Sequence, residues 1–404
     1  MKMRLPRLSL LVYILALANL SIAQSDYLNP IEGDYGKDFI IANYVDWGFG
    51  TAINDNHCLT KTYDGHQGTD FVIRNFALMD SGINVLAVDS GVVIFTHDGE
   101  FDREKVSVLS KGLGNYIGIT HEFELQTYYG HLKNGSILVE EGDTVVAGQV
   151  IGQVASSGNS TDPHLHFELW YDSTFYIDPF SGPCGNATAY WANEIPFDSS
   201  FNVWTGGLWN YTATLDTLRE EPPTIDTIFQ EDEAVSFWTL MYGLRNGDSL
   251  TTKWFTPANV QYSEFSYAVD QDWWYYYHWN EIAVPDTSLA GDWTVKLYRN
   301  NVEIDNRNFW LYNPPADTDT TVVDGIDHVS SLISVKTTYH GNYVELQTTE
   351  LVNWKVYDLH GRLAQSSYET SRLRLSKSAY PAGIYLVHML NVEGEKRAKK
   401  VLIE

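Results

Sequence analysis

Between about residues 34 and 188, apolar and polar residues alternate in short runs separated by glycine, and no helical period of useful length emerges. Residues 85–88, 91–95, 115–120 and 149–154 read as strands, punctuated by Gly82, Gly91, Gly114, Gly142 and Gly148. The pattern predicts an all-β block. From about 190 to 312 the strands become longer and strongly aromatic. Residues 273–279 read as one strand with Trp273, Tyr275, Tyr277 and Trp279 on one face and Trp274, Tyr276 and His278 on the other. Residues 292–298 and 302–312 read as strands joined by a turn at Asn300-Asn301. Strands spaced this way predict a β-sandwich. An aromatic face could stack on a sugar or a peptide. Aromatic residues also prefer strands and fill sandwich cores, which favours a spacer or positioning role. A Pro/Asp/Thr-rich linker is expected at 313–325, and residues 326–404 return to strand patterning.

The first residues break this pattern. Lys2, Arg4 and Arg7 precede an apolar run at 8–20, and Ser21-Ile22-Ala23 offers the small residues a signal peptidase needs. Residues 1–23 are therefore expected to be a secretory signal peptide cut after Ala23. The run is short for a bilayer core of ~30 Å, and no later stretch approaches ~20 apolar residues, so no stable membrane span is expected. No separate inhibitory segment is evident between Gln24 and Ile40.

Composition adds a constraint on partners. Hydrophobic residues make up 44% of the 404, enough for packed cores. The net charge of −26 is uneven: residues 326–404 carry 10 basic and 8 acidic residues, leaving 24–325 with 13 Lys+Arg against 44 Asp+Glu. Such acidity excludes nucleic acid and anionic membrane as main partners, because both are bound through basic residues. Nothing in the pattern sets an oligomeric state. The two cysteines, Cys58 and Cys184, are expected to form a disulfide once exported, since exposed thiols oxidise there.

Three segments carry candidate chemistry. Tyr63-Asp64-Gly65-His66-Gln67-Gly68-Thr69-Asp70-Phe71 offers His66 and Asp70, nitrogen and oxygen donors suited to zinc. On a strand the two would lie ~13 Å apart, so the glycines imply a sharply bent loop that folds them together. Pro163-His164-Leu165-His166-Phe167-Glu168-Leu169 reads as a strand with His164, His166 and Glu168 on one polar face. One histidine could bind a metal while the other contacts substrate or the attacking water. Tyr128-Tyr129-Gly130-His131-Leu132 supplies a further histidine.

These segments resemble the lysostaphin-type zinc endopeptidases, whose marks H-x-x-x-D, a Tyr-x-His-Leu-like stretch and H-x-H stand in order at 66–70, 128–132 and 164–166. The resemblance covers about 40–185. It implies an antiparallel β catalytic domain of the duplicated hybrid kind, with Zn2+ held by His66, Asp70 and His166 and a fourth position left open. It also implies His131 and His164 as the catalytic pair, with Glu168 orienting a ligand histidine. Some family members have lost ligands and act as regulators; all five positions are filled here, which implies an active enzyme. Neutral histidines are needed, so activity is expected to fall below about pH 6.

The tail resembles the C-terminal sorting domain of the Bacteroidetes type IX secretion system over about 329–404. The resemblance rests on Val356-Tyr357-Asp358-Leu359-His360-Gly361-Arg362, Tyr380-Pro381-Ala382-Gly383-Ile384-Tyr385-Leu386-Val387 and the Lys-rich finish at 396–400. It implies the type IX secretion machinery as a partner, passage across the outer membrane and removal of the tail, with the protein either secreted or attached to the outer cell surface. The expected organisation is a signal peptide at 1–23, a zinc peptidase domain at 24–188, an aromatic β-sandwich at 189–312, a linker at 313–325 and a small β-sandwich sorting domain at 326–404. The expected function is a secreted zinc metalloendopeptidase acting on peptidoglycan cross-links or glycine-rich peptide. The alternative is a non-catalytic secreted surface- or glycan-binding protein built on an inactive peptidase scaffold.

Overall fold

A computed structural model describes residues 26–312, except 222, 230 and 231, and residues 335–403, except 340–342, 359–362, 378, 381 and 392–395. The expected signal peptide, the linker and the tail's His360-Gly361-Arg362 lie outside the described residues. The first unit is built from β1 (Phe39–Asn43), β2 (Thr69–Ile73), β3 (Asn84–Leu86), β4 (Gly91–His97) and β5 (Tyr116–Thr120). It continues with β6 (Leu125–Gly130), β7 (Thr144–Val145), β8 (Val150–Gln153), β9 (His164–Tyr171) and β10 (Phe175–Ile177). One antiparallel sheet runs β1-β2-β9-β6-β5-β4-β7 with β10 on β9, and β3 pairs separately with β8.

Alternation decides which way each strand faces. Phe39 and Ile41, Phe71 and Ile73, and Leu165, Phe167 and Leu169 enter one apolar core in which each is almost fully buried. Tyr27 and Ile31 also belong to it, so the segment ahead of β1 is structural. Trp191 does as well, with Tyr190, Ile195 and Phe197 packed alongside. Residues 189–197 are thus held by the first core, although they lie beyond the expected limit of 188. Cys58 and Cys184 are disulfide-bonded and tie the β1–β2 connection to the segment after β10. The helix α1 (Phe76–Ser81) was not foreseen: six residues span too few turns to show a period. Its ends are local, with Leu78 N–H donating to the Asn75 side chain and Gly82 closing it.

The second unit comprises β11 (Asn202–Trp209), α2 (Leu215–Glu220), β12 (Thr227–Ile228), β13 (Val235–Tyr242) and β14 (Ser249–Phe255). It is completed by β15 (Gln261–Ala268), β16 (Tyr276–Ile282), β17 (Gly291–Arg299) and β18 (Val302–Leu311). Sheets β11-β13-β16 and β12-β18-β17-β14-β15 enclose Phe237, Met241, Trp254, Trp293 and Phe309, which is the expected sandwich. Asn300 and Asn301 turn at positive φ between β17 and β18, as the turn reading requires. The outer face of β13 is buried too, where Trp238 and Leu240 meet Trp209, Leu218 and Tyr277. That double burial accounts for the aromatic density.

Residues 273–279 are not one strand. β16 begins at Tyr276, because Asp272 accepts from Asn246 N–H and Arg245 and bends the chain ahead of it. Trp274 consequently turns onto the first unit, against Ile40, Ala42 and Val72, and donates Nε1–H to Thr60 O at 3.1 Å. His278 instead enters the sandwich and meets Thr252 Oγ1 at 2.9 Å.

The tail has β19 (Val335–Tyr339), β20 (Tyr343–Asp358), β21 (Leu363–Ser376), β22 (Gly383–Asn391) and β23 (Lys396–Ile403). All five form one hydrogen-bonded sheet, β19-β20-β22-β23 with β21 on β20. The β20–β21 register breaks between Gln347 and Val352, and the unit buries a core containing Val344, Trp354 and Ile403.

Candidate metal centre and catalytic site

Three neighbouring strands deliver the site. Asp70 on β2 stands opposite His166 on β9, and His166 stands opposite Gly130 at the end of β6. Directly opposed residues of an antiparallel pair share a face with Cβ atoms about 4.5–5.5 Å apart. His164, two residues before His166, shares that face. His131 follows Gly130 at φ +62°, and its ring centroid lies 4.6 Å from that of His164. His66 arrives on the predicted bent loop. Gly65 turns at φ +75°, and a Cβ on Gly68 would stand 2.6 Å from Phe167 O and 2.7 Å from His166 Nε2, so only glycine lets this loop close on β9. His66 Nε2 thereby comes within 3.2 Å of Asp70 Oδ1.

All five expected residues meet. His66 Nε2, His166 Nδ1 and Asp70 Oδ1 lie 3.2, 3.2 and 2.8 Å from one another. Each has its other polar atom occupied. His66 Nδ1–H donates to Tyr44 O at 2.7 Å, His166 Nε2–H to Glu168 Oε1 at 3.0 Å, and Asp70 Oδ2 accepts from Asn43 Nδ2 at 2.8 Å. Glu168 is itself held by Trp170 Nε1–H at 2.6 Å. Two neutral imidazole lone pairs facing each other at 3.2 Å beside a carboxylate oxygen repel, so the trio needs a shared positive charge, either a proton on His166 or a metal ion. Tetrahedral zinc, with bonds of about 2.0–2.1 Å, places its ligand atoms about 3.3 Å apart. His66, Asp70 and His166 are thus a group that could hold a metal ion, and the donor set fits zinc. The outer partners fix the tautomers that leave the converging atoms free.

The electrostatics separate the histidines into two kinds. Burial opposes the charge on His166, yet Asp70 and Glu168 together raise its pKa to about 10. Burial likewise opposes the charge on Asp70, but His66, His164 and His166 outweigh it and hold the carboxyl well below its usual range. Burial pushes His131 well below the ordinary histidine value, with His164 and His166 adding to the effect, and it lowers His164 as well. Both are neutral at pH 7. His131 Nδ1–H donates to Ser157 O at 2.6 Å and His164 Nδ1–H to Asp162 O at 2.8 Å, while His164 Nε2 stands 3.6 Å from Asp70 Oδ1.

The polar face of β9 is not open to solvent: His166 is 7% and Glu168 8% exposed. The sandwich packs on the same side of the sheet at Ile40, Ala42 and Val72. The units are pinned by Arg219–Asp162, Arg103–Glu220, Lys105–Glu220 and Arg74–Glu221, and Tyr275 and Tyr277 donate their hydroxyls to Arg74 O. Between them lies a cleft of about 740 Å³, lined by Asp70, His131 and His164 on one side and Leu215, Arg219 and Tyr277 on the other. Sequence reasoning missed Asn43, Asp162 and Arg219, and it missed Tyr63, whose ring centroid lies 4.4 Å from that of His66. The carbonyl acceptors carry no residue signature. Asp162 stands just ahead of Pro163-His164, a proximity that offered the one available hint.

Residues 64–179 match the profile of Peptidase family M23, and residues 340–404 match that of the secretion system C-terminal sorting domain. The chain carries an M23 peptidase domain followed by a type IX sorting domain, which marks it for a surface or extracellular location. It is similar to peptidoglycan DD-endopeptidase ShyA of Vibrio cholerae, 36% identical over 113 residues, which are 28% of this chain and 22% of that protein. Lysostaphin of Staphylococcus simulans is 35% identical over 109 residues, covering 27% and 18%. The chain spans about a fifth to a quarter of the length of the curated relatives it matches. Among solved structures, the catalytic domain of lysostaphin from S. simulans aligns at a TM-score of 0.23 and 27% identity, over 34% of this chain and 85% of that one. No helix among the described residues is long and apolar enough to cross a membrane.

Proposed function

We propose that this chain is a secreted zinc metalloendopeptidase that hydrolyses peptide bonds in peptidoglycan cross-links or glycine-rich peptides. The reading is carried by the convergence of His66 Nε2, His166 Nδ1 and Asp70 Oδ1, within 3.2 Å of one another, beside two neutral histidines on one cleft. His66, Asp70 and His166 would hold the ion. When bound, zinc supplies Lewis acidity toward the scissile carbonyl and lowers the pKa of the attacking water toward ~7. The chain's own residues do the rest. His131 and His164, neutral and anchored at Nδ1–H, each present Nε2 as an acceptor for a proton from the attacking water. The protonated ring then stabilises the charge growing on the carbonyl oxygen or returns the proton to the departing amine.

The M23 domain, the peptidase relatives and the sorting domain support this reading and an extracellular site of action. Export requires the signal peptide at 1–23. The domains fall at 24–188, 189–312 and 326–404 around the linker at 313–325, with residues 189–197 packed back on the first core. A protein released outside does not reach its maker's periplasmic wall, so foreign walls or glycine-rich proteins become the targets. The test is mass spectrometry of products from peptidoglycans of different cross-link chemistry, comparing wild type with His66→Ala and measuring zinc content in both. Cleavage by the zinc-loaded wild type alone is expected. A zinc-free protein that binds peptidoglycan and never cuts it would instead establish a non-catalytic binder.

A further inference from the structure

Both histidines of the catalytic pair take their orientation from one loop. Residues 155–162 supply Ser157 O to His131 Nδ1–H and Asp162 O to His164 Nδ1–H. The loop is braced internally: Ser156 Oγ donates to Glu104 O at 2.7 Å, and Ser160 Oγ lies 2.8 Å from Ser156 Oγ and 3.0 Å from Asp162 O. The Asp162 carboxylate is 16% exposed, and its counter-charge comes from the other unit. Arg219 of α2 donates Nε–H to Oδ1 at 2.7 Å and Nη2–H to Oδ2 at 2.9 Å, a two-pronged fork, while its Nη1–H reaches Lys105 O at 3.1 Å. The Arg219 side chain is 11% exposed.

We propose that the β-sandwich is a working part of the catalytic site, in which Arg219 acts as a positioning residue for His164 through Asp162; this rests on the peptidase reading above. A buried carboxylate deprived of its guanidinium must take up a proton or move toward water. Either response shifts the backbone of Asp162, whose carbonyl fixes the His164 tautomer. Without that acceptor only Ser160 Oγ, at 3.3 Å, remains for Nδ1–H, and the imidazole shifts toward the Nε2–H form facing Asp70 Oδ1 at 3.6 Å, which cannot accept a proton from water. The bidentate fork also explains why an arginine serves here: a lysine offers a point charge without the second prong.

The test uses the full-length zinc-loaded protein and dye-labelled peptidoglycan. Arg219→Gln is expected to lower the rate at saturating substrate by about 10- to 100-fold while leaving the half-saturating concentration near wild type. Zinc content should stay unchanged. Arg74→Gln, which cuts the neighbouring Arg74–Glu221 pair without touching Asp162, serves as the docking control and should retain most activity. In the double variant Asp162→Asn with Arg219→Gln, the residue-162 carbonyl remains and the charge that needed pairing is gone. Activity is expected to recover there, which simple loss of docking would not allow, and this variant also decides the matter if Arg219→Gln alone folds poorly. Imidazole 15N spectra of histidine-labelled protein give a readout independent of turnover: His164 should be Nδ1-protonated in wild type and lose that state in Arg219→Gln. If the spectra behave so in a protein that cleaves nothing, the positioning role stands and the peptidase reading falls. Unchanged spectra and wild-type turnover in Arg219→Gln would overturn the proposal, as would a loss equal to that of Arg74→Gln.

Discussion

Gly68 is the position where the site has no slack. A Cβ there would stand 2.6 Å from Phe167 O and 2.7 Å from His166 Nε2, against ordinary contacts of about 3.5 Å. Both contacts must open by roughly 0.8–0.9 Å to restore normal spacing. Phe167 is fully buried and lies on β9, hydrogen-bonded between β2 and β6, so its carbonyl cannot move without breaking a ladder. The loop carrying residue 68 must then lift off β9 and the His166 ring turn aside, and with them go the 3.0 Å bond to Glu168 and the spacing of His166 to His66 and Asp70. Overpacking of this kind costs about 1–3 kcal/mol. For a unit of this size that lowers the melting temperature by roughly 2–10 °C. Losing the outer hydrogen bond of a ligand histidine weakens metal binding by about 10- to 100-fold. Gly68→Ala is therefore expected to melt earlier without metal and to lose zinc to a chromophoric competitor at concentrations the wild type withstands. A variant with wild-type melting and wild-type zinc affinity would refute the steric argument and the assignment of His166 as a ligand together.

Other expectations follow from the buried groups. Without metal, His166 is protonated at pH 7, because its pKa is about 10, so zinc uptake should release about one proton. Calorimetry in buffers of different ionisation enthalpy measures it, and a heat independent of buffer would contradict it. Since burial keeps His131 and His164 below the ordinary histidine range, acid inactivation should report metal loss rather than protonation of that pair. Added zinc should then carry the acid limb to lower pH than the sequence-based expectation of about 6, and a limb indifferent to zinc would count against this. Reducing Cys58–Cys184, which are 126 residues apart, should cost up to about 5 kcal/mol in the chain-entropy model, seen as a lower urea midpoint. His278 is 3% exposed, and burial lowers its pKa from 6.5 to about 4. The unfolded chain takes up its proton first as pH falls, so stability drops between pH 6.5 and 4 by on the order of 3 kcal/mol. A wild-type loss no steeper than that of His278→Asn over this window would remove that cause.

The donors were legible in the sequence to different depths, and for physical reasons. His164 and His166 could be placed on one face because a strand has a period of two, and β9 is a strand over that whole segment. His66 and Asp70 could be joined only through the glycines between them, since regular geometry would hold them apart. Their approach to His131 and His166 depends on strand order, which alternation does not encode. What covers the site was not legible at all. Alternation marks the polar side of β9 as polar, whether water or another unit lies above it. Arg219, Trp274 and Tyr277, each dozens of residues or more downstream, reach Asp162, the β1–β2 face and the cleft through pairings that leave no local pattern. The reading of 273–279 failed because aromatic residues suit either face of a sandwich, so alternation among them carries little information, and the bend at Asp272 decides instead.

The placement of the few cations gives the junction its significance. Residues 24–325 hold 13 Lys and Arg against 44 acidic residues, and four of those cations, Arg74, Arg103, Lys105 and Arg219, pair with carboxylates across the boundary between the units. Lys61 also crosses it, donating to Asp198 O ahead of the sandwich while Trp274 of the sandwich covers its ammonium. Cations committed inward cannot neutralise the outer surface, so that surface stays strongly negative and attracts no anionic polymer. On the proposed reading, recognition of the substrate would then rest on contacts within the cleft rather than on bulk charge. About a third of the residues lining that cleft belong to the sandwich. On the proposed reading, a peptidase domain cut free at the junction would lose the sandwich's share of the cleft, the Arg219 fork and the packing of Trp274 on Ile40, Ala42 and Val72 at once, so the second unit would serve the chemistry and not only space it.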